Sequence, residues 1–133
     1  MSEIPEKKRK YLIDTSALYP MLLEGVYMDS DRFAITTLTE YEIGNVLWKE
    51  SKNKKLKNPN KISQIFADAI KDLKRYNIDR ISEVLDISIG RGLNFYDASY
   101  AYVAETQNLI LITEDTELLK KTKNAIRVQE IKL

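Results

Sequence analysis

The sequence predicts an α/β fold, a three-layer α/β/α sandwich around a mostly parallel central sheet. Short apolar segments rich in strand-forming residues alternate with helix-length segments along the chain. The segment LILIT at 109–113 is apolar up to its last residue, as in a parallel strand covered on both faces. The 133 residues show no internal repeat and no shift in composition, so we expect one domain over 1–133.

The first half of the chain predicts two strand–helix pairs followed by a loop. The strands correspond to KYLIDTS, which ends near Asp14, and to DRFAITT at 31–37. Each strand precedes a helical segment, SALYPMLLEGV and LTEYEIGNVLWKESKNK respectively. Thr37 or Thr39 is available as the N-cap of the second helix. The Asn-Pro-Asn sequence in LKNPNK marks the loop that ends this half.

The second half predicts further helices before the last strands. ISQIFADAIKDLKRY at 62–76 has the apolar spacing of an amphipathic helix. The next helices are DRISEVLDISIGRG, ending near Gly90 or Gly92, and YDASYAYVAETQN, ending at Asn108. The strand LILIT, the short helix TELLKKTK and an alternating edge strand AIRVQEI at 125–131 complete the pattern.

The composition excludes several kinds of chemistry. The chain contains no cysteine, so disulfides and thiolate metal sites are excluded. It contains no histidine, which removes the commonest general base and the commonest transition-metal ligand. Catalysis would therefore depend on carboxylates, hydroxyls, amines or a metal ion.

Charge and hydropathy indicate little about location or partners. The net charge of +1 gives no strong field toward nucleic acid or membrane. Two basic runs, at 7–10 and 52–61, fit either solvated segments or contacts to a nucleic-acid backbone. We expect 1–9 to be a flexible basic tail. Because no targeting segment or membrane-length apolar run is seen, we expect a cytoplasmic protein with no membrane partner.

Acidic residues follow two of the predicted strands and begin one helix. Asp14 follows YLI and Asp115 follows LILIT. Parallel strands place both residues at the same edge of the sheet, where ligands bind in such folds. Asp97 begins the helix that leads back to the second of these strands, so it reaches the same edge.

Glu42 joins this group through the geometry of its helix. The apolar face of the helix contains Leu38, Ile43, Val46 and Leu47, and Glu42 lies within that face. Burial of a carboxylate there is costly unless it is paired or binds a metal ion. Asn45 lies one turn away on nearly the same face, whereas Glu40 lies at its margin.

Carboxylates without histidine suit the hard cations Mg²⁺ or Mn²⁺, one or two of which can promote displacement at a phosphodiester. Each acid also has a simpler interpretation. Asp97 and Asp115 could act as helix caps, Asp14 could be a turn residue before a helix, and Glu42 could pair with a lysine. The coincidence of all four acids favours a metal site.

The residues resemble the PIN domain family, and within it the VapC-type toxin ribonucleases. The matching stretches are YLIDTSAL (11–18), TEYEIGNVLW (39–48), NFYDASYAYVAE (94–105) and LILITEDTELL (109–119). Together they span most of the chain in the order that the family shows. FYDASY followed by LITED is the most specific of them.

The resemblance implies a metal-dependent endoribonuclease that leaves 5′-phosphate ends and forms half of a toxin–antitoxin pair. It implies that the catalytic acids and ligands of Mg²⁺ or Mn²⁺ are Asp14, Glu42, Asp97 and Asp115. Ser16, Asn45 and Thr113 would support them by orienting ligands or water. A cognate antitoxin and a homodimer are the partners that it implies, besides the RNA substrate.

Other functions are compatible with parts of the pattern. A non-catalytic PIN-like module for RNA processing or protein binding would retain the fold without using the acids. A phosphoryl-accepting receiver domain would need an aspartate at the end of a middle strand, which the pattern fits poorly. Tyr96, Tyr100 and Tyr102 fit either base stacking or packing of their helix.

Overall fold

A computed structural model describes residues 9–131 and shows a five-stranded sheet in which all neighbouring strands are parallel. The strand order is β3-β2-β1-β4-β5. The strands are β1 (Tyr11–Ile13), β2 (Phe33–Thr36), β3 (Lys74–Tyr76), β4 (Ile110–Ile112) and β5 (Ala125–Ile126). The predicted α/β fold with a mostly parallel sheet is confirmed.

Helices cover both faces of this sheet. They are α1 (Thr15–Leu23), α2 (Thr39–Lys52), α3 (Pro59–Ile70), α4 (Ile81–Arg91), α5 (Phe95–Thr106) and α6 (Thr116–Lys121). Side chains of α1, α2 and α3 pack in one hydrophobic core with Tyr11 and Ile13 of β1. Those of α4, α5 and α6 pack in a second core with Leu12. The alternation of side chains along β1 therefore divides the interior into the two layers expected of a sandwich.

The predicted helix at 62–76 is wrong at both ends. The helix begins at Pro59, inside the predicted loop, because Asn58 caps it and proline is well suited to the first helical position. It ends at Ile70, and Lys74–Tyr76 forms a strand beside β2. The Arg75 side chain donates hydrogen bonds to the carbonyls of Ile70 and Leu73, at 3.2 and 2.8 Å, which stabilises the break.

Two smaller predictions also need correction. Neither Thr37 nor Thr39 caps α2, because Thr39 already lies in the helix and Leu38 occupies the cap position without a side-chain hydrogen bond. The hydroxyl of Thr39 instead accepts a hydrogen bond from the backbone N–H of Thr36. The predicted edge strand at 125–131 is too long, since β5 stops at Ile126 and Val128–Glu130 forms a 3-10 helix.

Other helix ends agree with the sequence. Gly92 ends α4 in the left-handed conformation, with φ of 67°, and Asn108 has φ of 56° just after α5. The prediction of one domain over 1–133, with a basic tail at 1–9, extends to residues outside those that the structure describes. Within residues 9–131, no helix is long and apolar enough to cross a membrane.

The strand order creates a switch point between β1 and β4. From β1 the chain proceeds to β2 on one side, whereas β4 pairs with β1 on the other side. In open parallel sheets, ligands bind at such points, outside the carboxyl ends of the strands. The segments that follow β1 and β4 begin with Asp14 and Thr113, so sequence-predicted residues occupy this position.

Candidate active site

Asp14 lies at the centre of the switch point and is buried, with 5% of its surface exposed. It is the N-cap of α1, because its Oδ1 accepts a hydrogen bond from the backbone N–H of Ala17 at 3.0 Å. The Ser16 hydroxyl donates to the same oxygen at 2.7 Å, and the Thr113 hydroxyl donates to Oδ2. The carboxylate is thus held in one orientation by groups from the segments that follow both central strands.

Ser16 and Thr113 extend this arrangement to the segment after β4. Their hydroxyl oxygens lie 3.2 Å apart. The backbone N–H of Asp115 donates to Thr113 Oγ1 at 3.1 Å, and that of Glu114 donates to Ser16 Oγ at 2.9 Å. The two hydroxyls therefore connect Asp14 to the loop that carries Asp115.

Asp115 is exposed and is the N-cap of α6, where its Oδ1 accepts from the backbone N–H of Leu118 at 2.9 Å. The capping role considered from the sequence is therefore present. It leaves Oδ2 without a hydrogen bond within residues 9–131. Capping and ligand binding are compatible in this geometry because the cap uses only one of the two carboxylate oxygens.

Glu42 lies in the first turn of α2 and is half-buried. Its Oε1 accepts hydrogen bonds from the Thr15 hydroxyl at 2.8 Å and from the Tyr100 hydroxyl at 2.7 Å. Tyr100 is also 2.9 Å from the hydroxyl of Thr39. A set of hydroxyls from α1, α2 and α5 thus holds Glu42, and no lysine pairs with it in the part of the chain that the structure describes.

Asp97 lies in the first turn of α5, one turn after Asn94, which caps the helix. Its backbone N–H donates to the Asn94 side chain at 2.8 Å, so Asp97 itself is not the cap. No hydrogen bond or ion pair to its carboxylate occurs among residues 9–131. A half-buried carboxylate without such partners is expensive, which makes Asp97 the least compensated of the four acids.

The electrostatics show that the four acids share one environment. Burial and, to a smaller extent, the charge of Asp97 together raise the pKa of Asp14 to about 6, despite its three hydrogen bonds. Burial also raises the pKa of Asp97, and the charges of Asp115 and Glu42 add to this effect. Tyr100 remains a donor to Glu42, because burial and the nearby Glu42 charge raise its pKa. Repulsion among the acids is therefore a property of the folded chain.

The donor set has the chemistry that Mg²⁺ or Mn²⁺ requires, since it consists of oxygen atoms alone. As positioned, however, no group of three or more acidic side chains among residues 9–131 is arranged to hold a metal ion. Glu42 faces hydroxyls and Asp115 faces the start of α6. Because like charges repel, we expect these side chains to rotate inward only when a cation compensates them.

One predicted site residue lies apart from this cluster, and three contributing residues were missed. The Asn45 side chain is exposed and forms no hydrogen bond within the described part of the chain. Thr15, Thr39 and Tyr100 contact Glu42 or each other but were not predicted to act in the site. Tyr100 lies three residues after Asp97, so helical spacing alone could have placed both near the same face. The Tyr100 ring packs in the second core, and its hydroxyl donates a hydrogen bond to Glu42.

Known proteins resemble this chain in sequence. The sequence matches the PIN domain over residues 11–124, which include all the acids discussed above. The chain belongs to the PIN domain family. Exonuclease VapC9 of Pyrobaculum aerophilum is 41% identical over 124 residues, which cover 92% of each sequence. The resemblance to VapC-type PIN domains noted from the sequence is therefore confirmed.

A solved structure agrees with the fold as well. The crystal structure of PAE2754 from Pyrobaculum aerophilum superposes with a TM-score of 0.83 at 39% sequence identity. The superposition covers 94% of this chain and 93% of that chain. At this level of similarity, the two chains share one fold.

Proposed function

We propose that this PIN domain is a divalent-metal-dependent endoribonuclease and the toxin of a toxin–antitoxin pair. The observation that supports the proposal is the electrostatic coupling of four acids near the switch point of the sheet. Asp14, Glu42, Asp97 and Asp115 come from distant parts of the sequence, yet Asp97 interacts electrostatically with each of the other three. An arrangement that costs the folded chain free energy is expected where function requires it.

The acids are proposed as ligands of Mg²⁺ or Mn²⁺. The chemistry that such an ion supplies when bound is activation of water and neutralisation of charge on the phosphate. Ser16 and Thr113 fix the orientation of Asp14, and Thr15 with Tyr100 fixes that of Glu42. Asp97, which has no such support, is free to turn toward an ion.

The relative's name raises a second mode of cleavage. VapC9 is named an exonuclease, so removal of nucleotides from an RNA end competes with internal cleavage for this chain. The two modes differ in whether a free end is required. A circular RNA has no end, so it separates them.

The experiment compares circular and linear RNA of the same sequence, with Mg²⁺ or Mn²⁺ and with EDTA as control. Internal cleavage predicts that the wild-type chain linearises the circle and that EDTA stops the reaction. Degradation of linear RNA with an intact circle would replace the endoribonuclease proposal by exonuclease action. Failure to cleave either RNA with any divalent ion would contradict a nuclease function.

A non-catalytic binding module is the alternative in which the acids have no metal to bind. Titration calorimetry with Mn²⁺ distinguishes it. The proposed nuclease should release or absorb heat and gain thermal stability with Mn²⁺. Absence of both effects would favour the module.

We also propose that a second copy of the chain and an antitoxin are its protein partners. Ile81, Leu85 and Ile89 are exposed at successive turns of α4, and an apolar stripe of this kind suits a helix–helix contact. Ile89→Glu should convert a dimer to a monomer in light scattering, whereas a substitution at exposed Ile65 on α3 should not. If the wild-type chain is monomeric even at high concentration, the proposal of a dimer is contradicted.

A further inference from the structure

A cavity of about 420 Å³ opens beside the acids, between the first turns of α2 and α5. We propose that it is a subsite for an unpaired nucleobase of an RNA substrate. This inference rests on the proposed ribonuclease function and adds a place where the substrate is recognised. Pockets of a few hundred Å³ with apolar walls and a few polar groups are typical of small-ligand sites.

The cavity lies at the same edge of the sheet as the acids. Its wall includes Thr36, the last residue of β2, and Tyr76, the last residue of β3. Because all strands are parallel, β2 and β3 end at the same edge of the sheet as β1, which Asp14 follows. The acids thus lie beyond the carboxyl ends of the central strands, and the cavity lies beyond the carboxyl ends of β2 and β3.

Two helices connect the cavity directly to the acids. Tyr41 lines the cavity and precedes Glu42 in α2, and Tyr96 lines it and precedes Asp97 in α5. Adjacent helical residues differ by about 100° in direction, so each helix presents a ring on one side and a carboxylate on another. A nucleotide whose phosphate lies at the acids could therefore place a neighbouring base against the rings.

The described walls of the cavity carry no charged side chain. A phosphate would find no cation among these lining residues, whereas a base is the uncharged part of a nucleotide. The walls include the aromatic rings of Tyr41, Tyr76, Phe95 and Tyr96. Stacking on such rings is the usual way in which proteins hold unpaired bases.

Exposure of the rings supports a ligand at this position. Tyr41 is 80% exposed and Tyr96 is 61% exposed, although both belong to a cavity wall. Their hydroxyls form no hydrogen bond with other groups in residues 9–131, and neither does the Thr37 hydroxyl. Apolar walls rimmed by available hydroxyls match a flat base with polar edges better than an apolar side chain. Lys74, whose Nζ lies 4.6 Å from the Tyr76 ring centroid, places positive charge nearby for the RNA backbone.

The test measures binding without cleavage, in a protein that carries Asp14→Asn. Its probes are a fluorescein-labelled hexaribonucleotide and matched oligomers that carry one abasic nucleotide at each position in turn. Fluorescence anisotropy gives the affinity ratio of intact to abasic RNA. Stacking of one base predicts a ratio of about tenfold or more at one position. The pair Tyr41→Ala with Tyr96→Ala should reduce this ratio to about one, as expected when the stacking partner is lost.

Two controls keep the result specific. Tyr27→Ala removes another tyrosine that is 81% exposed but lies away from this cavity, and it should leave the ratio unchanged. The pair Tyr41→Phe with Tyr96→Phe preserves the rings, so it should retain most of the ratio. Because Tyr41 and Tyr96 are exposed, both pairs are expected to fold, which circular dichroism checks.

The proposal is overturned if intact and abasic RNA bind equally, or if the paired alanine substitutions leave the ratio unchanged. It is also overturned if a labelled amphipathic leucine–lysine peptide binds at the tyrosines while RNA does not, since the cavity would then belong to a protein partner. Failure of the nuclease function would appear separately. The wild-type chain would then cleave no RNA with Mn²⁺, whatever the affinity ratio.

Discussion

Each end of α5 carries a partly buried carboxylate, and the surroundings shift the pKa values of the two carboxylates in opposite directions. Near the C-terminal end, the Glu105 carboxylate accepts two hydrogen bonds from Arg91, at 2.6 and 2.9 Å. It also accepts one from the backbone N–H of Lys123 at 3.0 Å. Burial alone would raise the pKa of Glu105, but these partners lower it. At the N-terminal end, burial raises the pKa of Asp97, and Asp115 and Glu42 raise it further.

The difference separates stability from function. Arg91 also donates to the carbonyl of Lys121, so the Glu105 pair joins α4, α5 and the end of α6. Asp97 has no cation among the described residues and lies among other acids. Within residues 9–131, the fold supplies an arginine to neutralise the carboxylate at one end of α5 but no cation for the carboxylate at the other end. This is expected if a metal ion and the substrate bind at that other end.

The largest effect that this comparison predicts is loss of cleavage at the uncompensated end. Asp97→Asn and Asp14→Asn should each reduce RNA cleavage by about a thousandfold or more, since a group that handles charge at the reacting centre is lost. Folding should persist, because asparagine retains the Oδ1 acceptor for Ala17 and Ser16. Gel assays with Mn²⁺ measure the rate.

The matched control for that experiment is Asp86→Asn, which changes an exposed acid of α4. Its cleavage rate should equal that of the wild-type chain. Rates of Asp97→Asn and Asp14→Asn within a factor of two or so of this control would remove both acids from the site.

At the compensated end, the effect should appear in stability and not in cleavage. Arg91→Met leaves Glu105 unpaired where the two side chains are only 29% and 15% exposed. We expect the free energy of unfolding to fall by about 3 kcal/mol, the scale for breaking a buried pair. Urea unfolding measures it, and the cleavage rate per folded molecule should not change.

A second substitution checks the origin of that loss. Adding Glu105→Leu to Arg91→Met removes the unpaired charge, so part of the lost stability should return. If the double variant is less stable than the single one by a further similar amount, charge compensation is not the reason for the pair.

The free energy of unfolding should depend on pH because of the acids near the N-terminal end of α5. In the folded chain the pKa of Asp14 is about 6, against 3.8 for the ordinary carboxyl, so the folded state holds the proton more tightly. The free energy of unfolding should therefore decrease as pH rises from about 4 to about 6, by roughly 2–3 kcal/mol from this group.

The measurement is urea unfolding in EDTA across this pH range, for the wild-type chain and for Asp14→Asn. The variant should lack the Asp14 contribution, so the difference between the two curves isolates it. A difference that stays constant between pH 4 and 6 would show that the carboxyl is not strained by burial.

The smallest effect separates two neighbouring glutamates of α2. Glu40 forms an ion pair with Arg75 at the surface, whereas Glu42 faces Thr15 and Tyr100 in the cluster. Glu42→Gln should lower cleavage by about tenfold or more, because a carboxylate that binds the ion or orients its other ligands is neutralised. Glu40→Gln should change it less than about twofold, since exposed pairs contribute little. Equal losses would undermine the helix-face assignment of Glu42.

The sequence was sufficient where the physical rule is local. Strand–acid junctions at Asp14 and Asp115 could be read from apolar runs that end in acids, and the parallel sheet then places them at one edge. The end of α4 was predicted near Gly90 or Gly92, and Gly92 occupies it in a left-handed conformation that strongly favours glycine.

The sequence was insufficient where distant groups decide the structure. Lys74–Tyr76 continues the helical pattern of α3, but pairing with β2 and hydrogen bonds from Arg75 override it. The role of Tyr100 depends on Thr15 and Thr39, which are far from it along the chain. No periodicity reports such contacts, because they exist only after the helices pack.

The measurement that most directly tests the central claim is a crystal structure in Mn²⁺, with the ion located by anomalous scattering. We predict an ion at the switch point, bound by Asp14 and Asp97 together with Asp115 or Glu42. The predicted rotation of these side chains toward the ion would be visible in the same map. An empty switch point at saturating Mn²⁺, or an ion bound only at other surfaces, would contradict the account.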